Sequence, residues 1–118
     1  DRYGSAKVSL AGPGSNLLIA LVFGMALRFL PIFEWNPMLF EGFVSIVYIN
    51  ILLALFNLIP IPPLDGSHIL FTFLPDSMNQ VKVFLSKYGI FVLLGVIFLI
   101  PGILSFFVNT IFKVIVGI

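Results

Sequence analysis

Three features of the sequence predict an all-α fold of several membrane-crossing helices. Only 9% of the 118 residues are charged and 60% are hydrophobic, whereas soluble domains carry about a quarter charged residues. The apolar residues gather in runs close to the ~20 that a helix needs to cross a bilayer. Between two such runs lies Asn57-Leu58-Ile59-Pro60-Ile61-Pro62-Pro63-Leu64-Asp65-Gly66, with three prolines and an acid in apolar surroundings. Proline removes a backbone donor and pushes the preceding residue towards extended geometry. A helix arriving at Asn57 must therefore break over residues 60–63, and a new one can start near Asp65 or Gly66. Unwound backbone survives in lipid only where protein buries it or water reaches it. The expected class is a set of multi-pass transmembrane helices in which one proline-broken helix carries a polar site. The later sequence adds one interfacial amphipathic helix.

The first span is expected near residues 8–30. Ala11-Gly12-Pro13-Gly14-Ser15-Asn16 reads as a turn or an intramembrane kink. Ser15 or Asn16 is a candidate cap for the helix that follows. Arg28 lies near the far end, where its long side chain can reach the interface. Residues 31–37 form a loop with the interfacial residues Glu34 and Trp35. The second span is expected near 38–59. Asn50 and Asn57 are two helical turns apart and share a face, which should point into the protein because a buried amide needs a partner.

Past the broken segment, residues 67–74 read as a short helix stopped by Pro75. Ser77 and Gln80 have the spacing of a capping box. Met78, Val81, Phe84, Leu85 and Tyr88 then recur at helical spacing, with Lys82 and Lys87 on other faces. This is the amphipathic helix, residues 77–88, with Gly89 expected to close it. A third span is expected near 90–112, kinked at Pro101-Gly102.

The net charge of +1, with no basic patch interleaved with aromatics, excludes a nucleic-acid partner. The absence of cysteine excludes disulfide and thiolate chemistry. Residues 1–9 do not read as a cleavable signal. Lysine and arginine fall at residues 1–10 and again at 60–89, and the loop between the first two spans has none. The positive-inside rule then places both segments, and Asp65, on the cytoplasmic side. The protein is expected to be an integral protein of the lipid bilayer.

Asp65 is the leading candidate for chemistry. An acid at membrane depth is by default a functional residue, as metal ligand or proton carrier. The alternative is a helix cap that satisfies free N–H groups. His68, the one histidine, lies three residues on and can share a face with Asp65, as a second ligand or as a packing residue. Asn57 suits backbone freed by Pro60, an extended bound strand, or a bridge between helices. Serines 15, 67 and 77 have no His–acid partners that would suggest a nucleophile.

The spacing Asn57-x-x-Pro60-x-Pro62-x-x-Asp65-Gly66 resembles that of the site-2 protease family of intramembrane zinc metalloproteases, in the pattern of its small bacterial members. Ala11-Gly12-Pro13-x-x-Asn16 is similar to the element that opens the preceding core span in that family. The resemblance implies that Asp65 is the third zinc ligand. It implies that Asn57 and the unwound backbone at Pro60, Pro62 and Pro63 hold a transmembrane substrate in extended form. Gly66 would allow close backbone approach, and Asn16 would tie core helices together. It further implies a zinc-activated water, a glutamate base and a bacterial cell membrane.

The family's His-Glu-x-x-His helix, source of two zinc ligands and the base, is absent from these residues, so no catalytic residue is expected in this chain. Residues 1–118 are therefore expected to be the C-terminal portion of such a protease. Zinc would need two histidines from outside, supplied by an N-terminal segment or a partner chain, and the chain would be inactive alone. The alternative is a non-catalytic membrane scaffold that binds transmembrane helices in the same groove. A transporter fragment would explain the broken helix but not the paired motifs at Asn16 and Asp65.

Overall fold

A computed structural model describes residues 3–34 and 36–117, whose regular elements are all helical. Asp1, Arg2 and Trp35 lie outside the described residues, so the charge expected at the start of the chain and the interfacial tryptophan are not placed.

Helix α1 covers Gly4–Phe29 and runs straight through the expected turn, with Pro13 inside it. Ser15 is no cap: its Oγ donates to the Ala11 carbonyl at 2.7 Å, within the helix. A backbone that must satisfy itself in lipid favours continuous helix where water would allow a turn. Pro13 leaves one gap in that ladder, because it cannot donate to the Ser9 carbonyl. A 3-10 turn over Pro31–Glu34 leads to α2, Pro37–Asn57. Here the local chemistry is conventional: Asn36 Oδ1 accepts from the Leu39 N–H at 3.1 Å, and Pro37 opens the helix.

The chain leaves α2 at Leu58 and resumes helix at α3, Asp65–Phe73. Residues 58–64 are non-helical, as the prolines demand. After a 3-10 turn over Asp76–Met78, α4 covers Asn79–Leu99 and α5 covers Pro101–Val116.

The last third of the chain departs from expectation. Gly89 closes no helix but lies buried inside α4, so residues 77–88 are not a separate amphipathic helix. Ser77 sits in the 3-10 turn, and α4 has no side-chain cap. The expected span at 90–112 is divided, because Pro101 can begin a helix but cannot donate into the preceding turn. Among the described residues, three segments are long and apolar enough to cross a membrane: Gly4–Phe29, Pro37–Asn57 and Asp76–Leu99.

The core forms where α1, α2 and α5 meet. Ala20 and Leu27 of α1 pack with Val47 and Ile51 of α2 and with Val108 and Val116 of α5. Gly24 lets α5 approach, since a Cβ there would overlap the Ile115 side chain. Arg28 donates from Nη1 to the Val114 carbonyl at 3.1 Å. It thus ends on the last turn of α5, where a cation is favoured. These contacts make α5 parallel to α1, with its start beside the end of α2.

Candidate functional site

The site is built from the broken segment, the start of α3 and the first half of α1. Between α2 and α3 the backbone closes a few short turns. Ile61 N–H donates to Ile59 O at 2.8 Å, Leu64 N–H to Ile61 O at 3.1 Å, and Ser67 N–H to Leu64 O at 3.1 Å. The Ser67 hydroxyl adds a second bond to Leu64 O at 2.7 Å. The Pro60 and Pro62 carbonyls accept no backbone hydrogen bond among the described residues.

Gly66 makes this turn possible. A Cβ on it would lie 2.5 Å from the Ile59 carbonyl oxygen and collide with Leu58 O as well. The first turn of α3 is thereby pressed against the chain just past the end of α2. Helix α3 then runs antiparallel to the first half of α1. Asp65 faces Gly12 at one end of this contact, and the rings of Tyr3 and Phe73 meet at 6.1 Å at the other.

Asp65 is half-buried. Leu64, not Asp65, is the N-cap of α3, and no side-chain bond caps the helix. Asp65 stands in the first turn of α3, where the helix dipole favours a carboxylate. Its Oδ2 lies 3.6 Å from where a Cβ on Gly12 would be. Asn16 lies one turn further along that face of α1, half-buried, and bonds through its side chain to no other described residue. Asn57, the last residue of α2, donates from Nδ2 to Leu53 O at 3.0 Å in its own helix. Asn50 does the same towards Ile46 O at 2.8 Å. Neither donor bridges two helices; each finds its partner one turn back, the cheapest solution for an amide in an apolar helix.

His68 stands apart from Asp65. It is exposed and lines a recess of about 350 Å³ with Ser5, Thr72, Asp76 and Lys82. Among the described residues no three His, Cys, Asp or Glu side chains come together. Two positions escaped the sequence reading. Gly12 faces the Asp65 carboxylate, and a Cβ on Gly89 would lie 2.8 Å from the Pro62 carbonyl, so α4 covers the broken segment there. Both are glycines inside helices, which a sequence alone reads as weak points.

A half-buried carboxylate with no hydrogen bond to a described side chain can accept a proton or bind a cation. Asp65 fits one position of a zinc site, for which carboxylate oxygen is an accepted donor. The described residues offer no second and third ligand beside it, so on their own they do not complete a catalytic site.

The model of peptidase family M50 matches residues 32–101. A Bacillus subtilis protein with the name "Putative zinc metalloprotease YwhC" is 34% identical over 109 residues, covering 85% of this chain and 48% of that protein. A Methanocaldococcus jannaschii protein given the same description is 38% identical over 66 residues, covering 56% of this chain and 33% of its own length. The chain spans about half the length, or less, of these curated relatives. No solved structure matches it.

Proposed function

Because the chain belongs to peptidase family M50, the site-2 protease family, we propose that it supplies the third zinc ligand, Asp65, of an intramembrane metalloprotease. The two histidines and the glutamate base come from a His-Glu-x-x-His helix outside these residues, in the rest of a longer chain or in a partner. The observation that carries this reading is the placement of Asp65. Its carboxylate stands in the first turn of α3, just past the proline-broken segment, and faces Gly12 of α1. Zinc, when bound, activates water and polarises the scissile carbonyl.

This chain's residues prepare the substrate. An unwound transmembrane segment has free N–H groups, and the carbonyl of the exposed Pro60 is an acceptor without a backbone donor among the described residues. Main-chain pairing of this kind holds an extended strand with little regard for its sequence. Gly66 keeps that edge within one turn of Asp65.

The ligand count tests the proposal. The isolated chain should bind zinc weakly and hydrolyse nothing, and the protein joined to the His-Glu-x-x-His helix should hold one zinc and cleave. Metal analysis after dialysis measures this. Tight stoichiometric zinc in the isolated chain would overturn it, and a loaded complete protein that cleaves nothing would favour the scaffold.

The proposal includes a bacterial cell membrane with Asp65 towards the cytoplasm. Lys7 and Lys82 lie towards the end of the bundle where α1, α3 and α4 come together, and Arg28 and Lys113 towards the other. Ser77→Cys and Glu34→Cys should label from opposite sides of sealed membranes. Labelling of both from one side would refute this topology.

A further inference from the structure

We infer that the polar recess between the starts of α1 and α4 binds the headgroup of a phosphatidylethanolamine lipid, with Lys82 and His68 taking the phosphate and Asp76 the ammonium. The recess holds about 350 Å³, towards the lower end of the range for small-ligand sites. Four elements line it. Ser5 comes from α1, His68 and Thr72 from α3, Asp76 from the 3-10 turn and Lys82 from α4. Its depth follows from the spans. The membrane-crossing segments Gly4–Phe29 and Asp76–Leu99 both begin here, so the recess lies where headgroups meet hydrocarbon. Phe71 and Leu74 add an apolar wall, which suits a lipid better than a free ion.

The side chains of Ser5, His68, Asp76 and Lys82 make no hydrogen bond or ion pair with another described residue. Lys82 is half-buried, and an ammonium partly withdrawn from water needs a partner. Asp76 lines the same recess, yet the two form no ion pair among the described residues. Both are left for a third group. Lys82 Nζ, a His68 ring N–H and the Ser5 hydroxyl are donors, and a phosphodiester offers acceptors. The Asp76 carboxylate is an acceptor, and a primary ammonium offers donors. A headgroup with both ends meets both sets, and it is neutral overall, as Lys82 and Asp76 together are. Phosphatidylcholine meets the phosphate side only: its quaternary ammonium has no N–H, and Phe71 alone makes no aromatic cage for it. An anionic headgroup leaves Asp76 facing a second negative charge.

The experiment uses the full-length protein, delipidated in detergent. It is titrated with phosphatidylethanolamine, phosphatidylcholine and phosphatidylglycerol of the same acyl chains, and binding is read by native mass spectrometry. The parent should prefer phosphatidylethanolamine about 10-fold over the other two, the worth of one charge-assisted hydrogen bond. Lys82→Gln should weaken all three lipids about 10-fold. Asp76→Asn should weaken phosphatidylethanolamine alone and erase its preference over phosphatidylcholine. Lys87→Gln, exposed on α4 and outside the recess, should match the parent. Unfolding temperatures check each variant, and Asp76→Asn, at an exposed position, decides the matter even where Lys82→Gln fails to fold. Equal binding of the three lipids by the parent would overturn the inference, as would an undiminished preference in Asp76→Asn. Water-soluble O-phosphoethanolamine should compete only weakly, since it lacks acyl chains. Competition at the lipid's own concentration would overturn the lipid as ligand and put a soluble phosphate compound in its place.

Discussion

Asp65→Asn in the complete protease should lower substrate cleavage by at least about 100-fold and reduce bound zinc, since even groups one shell out from a metal change affinity by 10–100-fold. The amide keeps the shape of the carboxylate and removes its charge. Packing against Gly12 is unaltered, because the group makes no bond to α3 that the substitution could break. The loss therefore falls on the metal and on the water it activates. His68→Ala should reduce cleavage far less, because His68 is exposed in the recess with Ser5 and Lys82 and faces another environment. Cleavage of a transmembrane substrate and metal content, measured on both variants, decide the matter. Full activity in Asp65→Asn would remove Asp65 from the site.

Gly66→Ala should be the most damaging small substitution to the fold. A methyl group there meets two backbone oxygens, those of Leu58 and Ile59, just past the end of α2. Side chains can swing away from an intruding methyl, but carbonyls fixed between a helix end and a proline cannot. Overpacking of this kind costs about 3 kcal/mol or more, the top of the usual range. Relief requires α3 to move off α2, which carries Asp65 away from Gly12. Gly66→Ala should therefore lose thermal stability and cleavage together, in contrast to Asp65→Asn, which should lose cleavage alone. Unfolding temperatures in detergent beside cleavage rates test the pairing. A Gly66→Ala protein of parental stability would show that the turn can relax.

The centre of the chain was legible because its determinants are covalent. Pro60, Pro62 and Pro63 lack N–H groups in any environment, so the break and the restart at Asp65 follow from the residues themselves. The two long helices before it followed from hydropathy. What was not legible depends on surroundings. Gly12-Pro13-Gly14 is a turn signal in water but lies within a continuous helix here. Gly89 resembles a helix end, yet it lies inside α4 against Pro62, twenty-seven positions earlier in the broken segment. Asn50 and Asn57 were expected to need partners on an inward face, and each finds a carbonyl one turn back in its own helix. The site was legible as a list, and Asp65 stood out in it. Its neighbour Gly12 was not, because a residue without a side chain matters only through what it leaves empty.

The packing of α5 on α1 and α2 sets an order of assembly. Synthesis runs from the N-terminus, so α1 and α2, joined by the short link at Pro31–Glu34, can meet before α5 is made. That hairpin holds four of the six core residues: Ala20, Leu27, Val47 and Ile51 wait for Val108 and Val116, some fifty or more residues later in synthesis. In the interval, lipid tails must occupy the face that α5 will take, including the notch at Gly24. The arrival of α5 is then a displacement of lipid, guided at its far end by Arg28 reaching the Val114 carbonyl. During biogenesis the broken segment and Asp65 thus enter the membrane beside an unfinished bundle, and α5, made after them, completes the core beside them.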